Sequence, residues 1–387
     1  MRFLHTADWH VGKTLRGRSR MDELAGALDE IVALARDAGV DGVLVAGDVY
    51  DNAAPSPDAE RLVYETLARL RDAGVPCVVI AGNHDHPRRL AAIAPLAESL
   101  RLHIRTDLQG ARDGGIVMLP SRDGDQTAKI LALPFIPERR AADAAALMRP
   151  SGPAPRGYAR TVEQAIAALA RGIKAETVNI LLGHALVTGG QTGTGERPLH
   201  LTDTYSISLQ NVPKRIQYVA LGHLHRPQEL LAPVRAAYSG SLIELDFGER
   251  QQEKRVILVE ANPGAPPRLE SIPLRSGRAL RDVEGTFDEV LALASEIGDA
   301  YLRVRIKTDG PQPSLADRVR EALPLAVDVR LALTRPTSTD SAPAATPSLS
   351  PVELFERFHA RRYDAPPTPD VLALFRRLHE EAQMGTE

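Results

Sequence analysis

The chain has 387 residues, of which 43% are hydrophobic and 25% charged, with a formal net charge of −3. This length suits two or three domains of an ordinary soluble protein. The length excludes a disulfide-stabilised miniprotein. The short apolar runs exclude a membrane-spanning protein, and the net charge excludes a chain whose overall charge attracts nucleic acid. The single cysteine, Cys77, rules out an intrachain disulfide and a thiolate metal cluster. The polar residues His5, Asp8 and His10 argue against a secretion signal, so we expect a cytoplasmic protein.

Short apolar runs alternate with amphipathic segments through the first half of the chain, which predicts an α/β fold. Five runs are apolar on both faces, as is typical of central strands of a buried sheet. The runs are Phe3–Thr6, Val43–Ala46, Val78–Ala81, Ile180–Leu182 and Tyr218–Leu221. Apolar residues three and four positions apart predict helices over Met21–Asp37 and Pro57–Arg71. Gly39 and Gly74 follow these helices and are suited to end them.

Shifts in composition predict two α/β domains. The first covers residues 1–275 and includes a surface excursion, rich in Ala, Pro and Arg, over 136–160. The second and smaller domain covers residues 276–335. Its predicted elements are a helix over 286–297, a strand over 301–306, a helix over 314–323 and a strand over 327–333.

The last part of the chain has a different character. Residues 336–350 are rich in Pro, Ser, Thr and Ala and lack hydrophobic periodicity, which is typical of a flexible linker. Residues 351–387 contain two amphipathic segments, 352–362 and 369–383. Their apolar residues need either a small core of their own or the surface of a partner.

Polar residues of types that bind metal ions follow each of the five apolar runs. The clusters are Asp8-Trp9-His10, Gly47-Asp48, Gly82-Asn83-His84-Asp85, Gly183-His184 and Gly222-His223-Leu224-His225. Side chains that follow parallel strands meet at one edge of a sheet. Four clusters begin with glycine, which permits a sharp turn while the next side chain enters a crowded pocket. Each cluster alone is more typical of a turn or an incidental histidine pair, but their joint occurrence predicts a metal centre.

The predicted donors are imidazole nitrogens with carboxylate and amide oxygens. Without thiolates, this mixture suits Mn, Fe or Zn better than Ca. One aspartate shared between two ions would make the centre dinuclear. Two ions roughly 3.5 to 4 Å apart clamp a phosphoryl group and generate a hydroxide nucleophile at neutral pH. The sequence therefore predicts hydrolysis of a phosphoester.

The five clusters, D-x-H, GD, GNHD, H and GH-x-H, occur in an order that resembles the calcineurin-like metallophosphoesterase superfamily. Within it, the chain resembles the nuclease subunits of double-strand-break repair complexes over nearly its whole length. The further matching stretches are residues 42–51, 183–190, 218–228, 238–241 and 350–358. The resemblance implies a two-sheet sandwich flanked by helices, a smaller α/β capping domain that helps select DNA, and C-terminal helices.

The resemblance also implies a role for each site residue. The implied ligands are Asp8, His10 and His225 for one divalent ion, Asn83, His184 and His223 for the other, and Asp48 as the bridge. Mn is the expected metal. His84 would face the phosphate and stabilise charge or protonate the leaving oxygen, and Asp85 would orient its ring. The alternative for Asp85 is a carboxylate that only stabilises a turn.

Basic residues stand next to two of the clusters. Lys13, Arg16 and Arg18 follow the first cluster, and Arg88 and Arg89 follow the third. These loops are basic in a slightly acidic chain, so we expect them to attract a DNA backbone. The alternative is an ordinary solvated basic face, and acidic residues nearby weaken the patch.

By resemblance, the activity is an ATP-dependent 3′→5′ exonuclease on double-stranded DNA and an endonuclease on single strands and hairpins, with in-line attack by a metal-bound hydroxide. The implied partners are a coiled-coil ATPase, which binds the C-terminal helices, and a second copy of the chain within a heterotetramer. The alternatives are a phosphatase or nucleotide phosphodiesterase on the same scaffold, and a silent module that holds DNA or a partner. Asp51-Asn52-Ala53 stands where Ser/Thr phosphatases have D-R-G, and the complete set of ligands disfavours the silent module.

Overall fold

The computed structural model describes residues 1–137, 157–193, 206–308, 314–333, 351–363 and 365–375. Most of the excursion predicted over 136–160, the linker over 336–350 and the end of the last predicted helix lie outside these ranges. The chain divides into two compact units, Met1–Thr334 and Arg335–Glu387. Both predicted α/β domains therefore belong to the first unit.

The strands are β1 (Arg2–Thr6), β2 (Thr14–Leu15), β3 (Arg18–Ser19), β4 (Gly42–Val45), β5 (Cys77–Ile80), β6 (Leu102–Arg105), β7 (Ile116–Pro120), β8 (Thr127–Leu133), β9 (Val178–His184), β10 (Tyr218–Gly222), β11 (Gln228–Leu230), β12 (Arg235–Tyr238), β13 (Arg255–Glu260), β14 (Arg268–Pro273), β15 (Leu280–Gly285), β16 (Tyr301–Thr308) and β17 (Ala326–Leu333). The helices are α1 (Met21–Asp37), α2 (Pro57–Asp72), α3 (Pro87–Glu98), α4 (Tyr158–Ala170), α5 (Phe287–Ile297), α6 (Leu315–Ala322) and α7 (Pro351–Tyr363). Among the described residues, no helix combines the length and the apolar character required to span a lipid bilayer.

The first two helices form where the periodicity predicts them. Helix α1 buries Leu24, Leu28 and Ile31 on one face, because residues three and four apart share a side of the helix. Helix α2 begins after Ser56, whose hydroxyl accepts the backbone N–H of Ala59, and ends one residue later than predicted. Both helices cover the outer face of one sheet.

Two six-stranded sheets pack face to face in the first unit. Their strand orders are β14-β13-β1-β4-β5-β6 and β11-β12-β10-β9-β8-β7. Apolar side chains from both sheets fill the space between them, for example Leu44 and Val78 from one and Ile130 and Ile180 from the other. Helices α1 and α2 cover the first sheet and α4 covers the second. The two-sheet sandwich flanked by helices is thus confirmed.

The five apolar runs do not share one sheet. Strands β1, β4 and β5 are parallel neighbours in the first sheet, whereas β9 and β10 are parallel neighbours in the second. Every one of these strands is buried on both faces, because each sheet has helices on one side and the other sheet on the other. The polar clusters therefore meet where the ends of two sheets converge rather than along a single edge.

A smaller α/β subdomain, which we call the accessory subdomain (residues 280–333), ends the first unit. Its strands β15, β16 and β17 form a parallel sheet, with α5 and α6 as the crossovers. Helix α5 starts with a capping box, in which Thr286 and Glu289 each accept the other's backbone N–H. The helices and one sheet face enclose a separate apolar core.

Three glutamates hold the segment that leads into the accessory subdomain. Each accepts hydrogen bonds from backbone N–H groups of residues 275–280. Glu30 accepts from Ser276 at 2.7 Å, and Glu244 accepts from Leu280 at 2.7 Å. Glu23 accepts the backbone N–H of Arg278 at 2.8 Å. The segment is held at four positions, because the N–H groups of residues 275, 276, 278 and 280 each have a charged acceptor.

The second unit contains helix α7 and helical residues 369–375. The rings of Phe355 and Phe375 stack with their centroids 4.2 Å apart and their planes within 5°. Phe358 on α7 is 61% exposed, and Leu374 on the following helical segment is also exposed. The described part of this unit thus has a small aromatic contact of its own and leaves apolar surface uncovered.

Candidate metal centre

The first half of the centre comprises Asp8, His10 and His225, which follow β1 and β10. The Nε2 atoms of the two histidines lie 3.1 Å apart. One ligand atom from each of the three residues lies within 4.8 Å of the others, and all three side chains are buried. Two imidazole nitrogens that face each other beside a buried carboxylate are a suitable donor set for a transition-metal ion.

The second half comprises Asn83 after β5, His184 at the end of β9 and His223 after β10. The Oδ1 atom of Asn83 lies 2.9 Å from Nε2 of His184 and 2.8 Å from Nδ1 of His223. The ring of Phe135 lies beside both histidines, with centroid distances of 6.2 Å, and is nearly parallel to the ring of His223. One amide oxygen and two ring nitrogens therefore face a common point.

Asp48, which follows β4, lies between the two halves. Its Oδ2 atom is 3.7 Å from Nε2 of His10 and 3.4 Å from Nε2 of His184. Its Oδ1 atom instead accepts the backbone N–H of His84 at 2.7 Å. A single carboxylate oxygen thus faces both halves, which is the arrangement expected of a ligand shared by two ions.

The backbone of the centre lies in the left-handed region at four non-glycine positions. The φ angles are 49° at Asp8, 46° at His10, 49° at Asp48 and 109° at His223. Such angles are uncommon for residues with a Cβ atom and concentrate at functional sites, where surrounding contacts maintain them. Here the backbone N–H of Asp8 donates to the carbonyl of Gly47 at 3.0 Å.

Crowding requires a glycine before some of the proposed ligands but not before every one of them. Gly47 has a φ of +88°, and a Cβ atom there would overlap the ring of His184. A Cβ atom at Gly222 would overlap the carbonyl oxygen of Ala46. At Gly183, by contrast, the nearest atoms would be 3.6 Å away, so crowding does not explain this glycine.

Burial and mutual charge shift the titration of the centre in the metal-free protein. Burial raises the pKa of Asp8 to about 7, although His184 and His225 oppose the shift. Burial alone would also raise the pKa of Asp48, but His184 and other histidines hold it well below its usual range. Burial disfavours the charged form of His184, yet Asp48 and Asp8 raise its pKa to about 9. A metal ion at His184 would therefore compete with a proton for the same ring.

Oxygen atoms lie beside the Nδ1 atoms of three histidines that are proposed ligands. Nδ1 of His225 lies 2.8 Å from the Glu249 carboxylate, and Nδ1 of His10 lies 3.3 Å from the Asp51 carboxylate. Nδ1 of His184 lies 2.7 Å from the backbone carbonyl oxygen of Ala46, which follows β4. The hydrogen bonds at His225 and His184 favour the tautomer with the proton on Nδ1, which leaves Nε2 free to bind a metal ion, whereas Nδ1 of His10 has no partner with hydrogen-bond geometry among the described residues.

The contacts of Asp85 differ from those predicted for it. Nδ1 of His84 contacts the carbonyl oxygen of Asp51 at 2.7 Å, so this carbonyl orients the ring. The Asp85 carboxylate accepts the backbone N–H groups of Val49, Tyr50 and Gly82. These contacts fit the alternative role of Asp85, a carboxylate that stabilises a turn, because they join the turns after β4 and β5.

Two of the predicted DNA-binding residues contact the accessory subdomain instead. Arg16 forms an ion pair with Asp328 at 3.3 Å, and Arg18 donates to the carbonyl of Pro324 at 2.7 Å. The Arg18 guanidinium also lies 5.4 Å from the ring centroid of Tyr301. These contacts join the β2–β3 hairpin to the accessory subdomain and use part of the positive charge that the sequence suggested for DNA.

Of the other three basic residues predicted to bind DNA, two form ion pairs and one is exposed. Lys13 forms an ion pair with Asp51 at 3.1 Å, and Arg89 forms one with Glu60 at 2.7 Å. Arg88 is exposed. The positive charge near the centre is therefore smaller than the count of basic residues implies, because exposed ion pairs neutralise part of it.

Sequence reasoning missed several residues that support the centre. Glu249 and Lys254 stand 24 and 29 positions after His225, a spacing that indicates no contact. Asp51 ends the matching stretch 42–51, but nothing in the sequence indicates that it contacts two histidines. Phe135 follows β8 in the way that the ligands follow their strands, so the position at a strand end was an available signal.

The donors of the centre fit a pair of divalent ions. Four imidazoles, two carboxylates and one amide converge, and Asp48 faces both groups of donors. The set holds nitrogen and oxygen donors only, which matches Mn, Fe or Zn. Carboxylates beside opposed ring nitrogens also give the negative charge that divalent ions require.

Comparison with known families identifies two regions of the chain. The calcineurin-like phosphoesterase family matches residues 1–227, which include all seven predicted ligands. The family described as the Type 5 capsule protein repressor C-terminal domain matches residues 276–363, which include the accessory subdomain and α7.

Two curated proteins and one solved structure are similar to the chain. The SbcD subunit of nuclease SbcCD from Bacillus subtilis (strain 168) is 35% identical over 288 residues, which cover 72% of this chain and 71% of that protein. The SbcD subunit of nuclease SbcCD from Rhodobacter capsulatus is 33% identical over 379 residues, which cover 90% of each protein. The crystal structure of TT1561 of Thermus thermophilus has a TM-score of 0.40 at 16% identity, over 71% of this chain and 99% of that chain.

Proposed function

This chain belongs to the calcineurin-like phosphoesterase family and, within it, to the SbcD subunits of nuclease SbcCD, and on that basis we propose that it is a metal-dependent nuclease that hydrolyses phosphodiester bonds of DNA. The observation that carries the proposal is the position of Asp48, with one carboxylate oxygen within 3.7 Å of ligand nitrogens from both halves of the centre. Two divalent ions, Mn in our proposal, supply Lewis-acid charge and activate water for attack on phosphorus.

The chain's own residues hold and orient the reacting groups. The proposed ligands are Asp8, His10 and His225 for one ion, Asn83, His184 and His223 for the other, and Asp48 for both. The left-handed backbone at several of these positions directs their side chains toward a common point. Burial excludes water from behind the ligands, which strengthens their electrostatic effect on the substrate.

His84 is the proposed acid for the leaving oxygen. The carbonyl of Asp51 accepts from Nδ1, so the proton of the neutral ring is on Nδ1 and Nε2 is the atom that gains and releases a second proton. The ring lies 4.6 Å from the ring of His10, beside the metal centre. An imidazolium there would stabilise the charge that develops on the phosphate and donate a proton to the leaving sugar oxygen.

The proposed substrates are DNA ends, single strands and hairpins, with ATP-dependent 3′→5′ exonuclease activity on duplexes. Exposed Arg88, together with Lys13 beside the centre, is the proposed contact to the phosphate backbone. The accessory subdomain is proposed to help select the DNA geometry. The cytoplasm, expected from the sequence, is where such DNA and ATP are available.

The proposed partners are an SbcC-like coiled-coil ATPase and a second copy of this chain in a heterotetramer. The exposed Phe358 and Leu374 of the second unit provide an apolar surface of the kind that docks on another protein. On the nuclease domain, α3 leaves Leu96 71% exposed, and Tyr64 on α2 is exposed as well. This second surface is the proposed contact between the two copies.

A nuclease assay tests the proposal. The purified chain is incubated with Mn²⁺ and linear duplex, hairpin or circular single-stranded DNA, and in parallel with a chromogenic phosphomonoester, with and without the ATPase. We expect DNA hydrolysis that the Asp48→Ala variant loses by roughly a thousandfold or more, beyond the 10- to 100-fold typical of residues that only support a ligand. Turnover of the monoester with inert DNA, in the presence of the ATPase, would instead identify a phosphatase.

A further inference from the structure

A buried polar cluster that no predicted role explains lies directly behind His225. Glu249 is 1% exposed and Lys254 is 5% exposed, and Ser241 is also buried. Buried charges are costly unless they are paired and hydrogen-bonded. Their position beside a proposed ligand therefore needs a reason.

Every oxygen of Glu249 has a partner. Oε1 lies 2.8 Å from Nδ1 of His225. Oε2 accepts from Lys254 Nζ at 2.7 Å, from the backbone N–H of Leu245 at 3.0 Å and from the Ser241 hydroxyl at 3.3 Å. The carboxylate is therefore held rigidly while it faces the imidazole.

Lys254 holds the other end of the same ligand. Its ammonium group donates to the backbone carbonyl of His225 at 3.0 Å and to the Ser241 hydroxyl at 2.9 Å. Glu249 thus fixes the ring of His225, and Lys254 fixes its backbone. The acceptor at Nδ1 leaves Nε2 of His225 as the donor that faces Nε2 of His10.

The turn that carries Glu249 is fixed from its opposite side by the accessory subdomain. Phe247 is fully buried and packs in one apolar cluster with Leu280 and Tyr301. The guanidinium of Arg303 lies 4.9 Å from the centroid of the Phe247 ring. Arg250, the residue after Glu249, forms an ion pair with Asp282 of β15 at 2.6 Å. One short turn therefore contacts the accessory subdomain on one side and a metal ligand on the other.

We propose that Glu249 is a positioning residue for His225, and that the accessory subdomain holds it in place through Phe247. This inference rests on the proposed metal centre. It assigns the affinity of the first half of the centre, Asp8, His10 and His225, to a residue that itself binds neither metal nor substrate.

Manganese titration of the full chain tests the proposal, with free Mn²⁺ measured by electron paramagnetic resonance. The informative variant is the double substitution Glu249→Gln with Lys254→Met, which removes the two charges together and leaves no unpaired ion in the interior. We expect one of two Mn²⁺ sites to weaken about 10- to 100-fold, the range typical of groups that orient a ligand, while the other site keeps its affinity. Phe247→Leu should weaken the same site by a smaller factor.

Glu23→Gln provides the matched control. Glu23 is a buried glutamate in an ion pair with Arg20 at 2.6 Å, and it contacts the segment before the accessory subdomain but no proposed ligand. We expect this variant to bind two Mn²⁺ ions as the wild type does. Thermal unfolding of all variants is followed to confirm that each is folded during the titration.

Three outcomes would overturn the proposal in distinguishable ways. Unchanged affinity at both sites in the double variant would show that Glu249 does not position His225. Equal weakening of both sites in the double variant and in Glu23→Gln would indicate a general effect on the fold. A wild-type chain that binds fewer than two Mn²⁺ ions would contradict the proposed metal centre itself, and the role of Glu249 with it.

Discussion

The two halves of the candidate centre are supported in different ways. In the first half, a carboxylate lies beside Nδ1 of each histidine and is paired with a lysine: Asp51 and Lys13 at His10, and Glu249 and Lys254 at His225. In the second half, the carbonyl oxygen of Ala46 orients His184, and the ring of Phe135 lies against His184 and His223. One half is supported by side-chain charges and the other by backbone and an aromatic ring. The same donor atoms can therefore be held at one place by two kinds of force, which should respond differently to substitution and pH.

The largest effect is expected from glycines beside the second half. Gly47→Ala should reduce the free energy of unfolding by about 3 kcal/mol or more, because the new Cβ atom would overlap His184 and the φ of +88° is unfavourable. Gly183→Ala is the control, since its nearest neighbours are 3.6 Å away. Urea unfolding measures both. Equal losses in the two variants would show that the backbone does not support the second half in this way.

The two lysines of the first half should differ in their contribution to stability. Burial raises the pKa of Glu249, but Lys254 and His225 more than offset this and hold it well below its usual range. Lys254→Met should lower the free energy of unfolding by about 3 kcal/mol, as is typical when one partner of a buried pair is removed. Lys13→Met should cost less than about 1 kcal/mol, because Lys13 is partly exposed. Equal midpoints of urea unfolding for the two variants would contradict this ranking.

The contact between the strands that lead to the two halves should make stability depend on pH. His5 on β1 contacts the hydroxyl of Tyr218 and the carbonyl of Leu221 on β10, and burial lowers its pKa to about 3. Below about pH 6.5 the unfolded chain binds a proton that the folded chain does not. The free energy of unfolding should therefore fall by about 2 kcal/mol from this residue between about pH 7.5 and pH 5.

His5→Gln keeps a donor and an acceptor but does not titrate, so urea unfolding of this variant should show a shallower pH dependence than the wild type. An identical slope for the two proteins would mean that His5 does not supply the effect.

The smallest effect is a difference in metal affinity between the halves. The first half has Asp8 and a share of Asp48, whereas the second has only its share of Asp48 and neutral donors. We expect roughly tenfold tighter Mn²⁺ binding in the first half, about 1.4 kcal/mol. In a Mn²⁺ titration, Asn83→Ala should remove the weaker binding step and His10→Ala the tighter one. The reverse assignment would show that charge does not set the order.

The proposed ligands could be selected from the sequence because each stands at or just after the end of an apolar strand, and short spacings are visible in a sequence. The division of their strands between two sheets could not be predicted from the apolar runs, because strands covered by helices and strands covered by another sheet are equally apolar. The resemblance to a known family supplied the two-sheet architecture but not this division. Asp85 shows the limit of local reasoning: it is the neighbour of His84, yet it bonds to the backbone of another loop.

Contacts between distant parts of the chain were not predictable. In the sequence, Arg16 and Arg18 indicate a basic loop beside the centre. Their partners Asp328 and Pro324 are more than 300 positions further along the chain. Glu249 and Lys254 carry no local pattern that distinguishes them from surface residues. Their burial depends on how the chain turns after β12, and charge alone does not reveal it.

Strand β1 lies between β4 and β13, so its neighbours come from opposite ends of the nuclease domain. During synthesis, all seven proposed ligands have been added to the chain by residue 225, before β13 and before Lys254. The nascent chain therefore displays a complete set of metal donors while the first sheet still lacks its other central pairing, and contacts of such long sequence separation form late. A chain interrupted before β13 would contain all the proposed ligands, but its strand β1 would lack one of its two neighbouring strands.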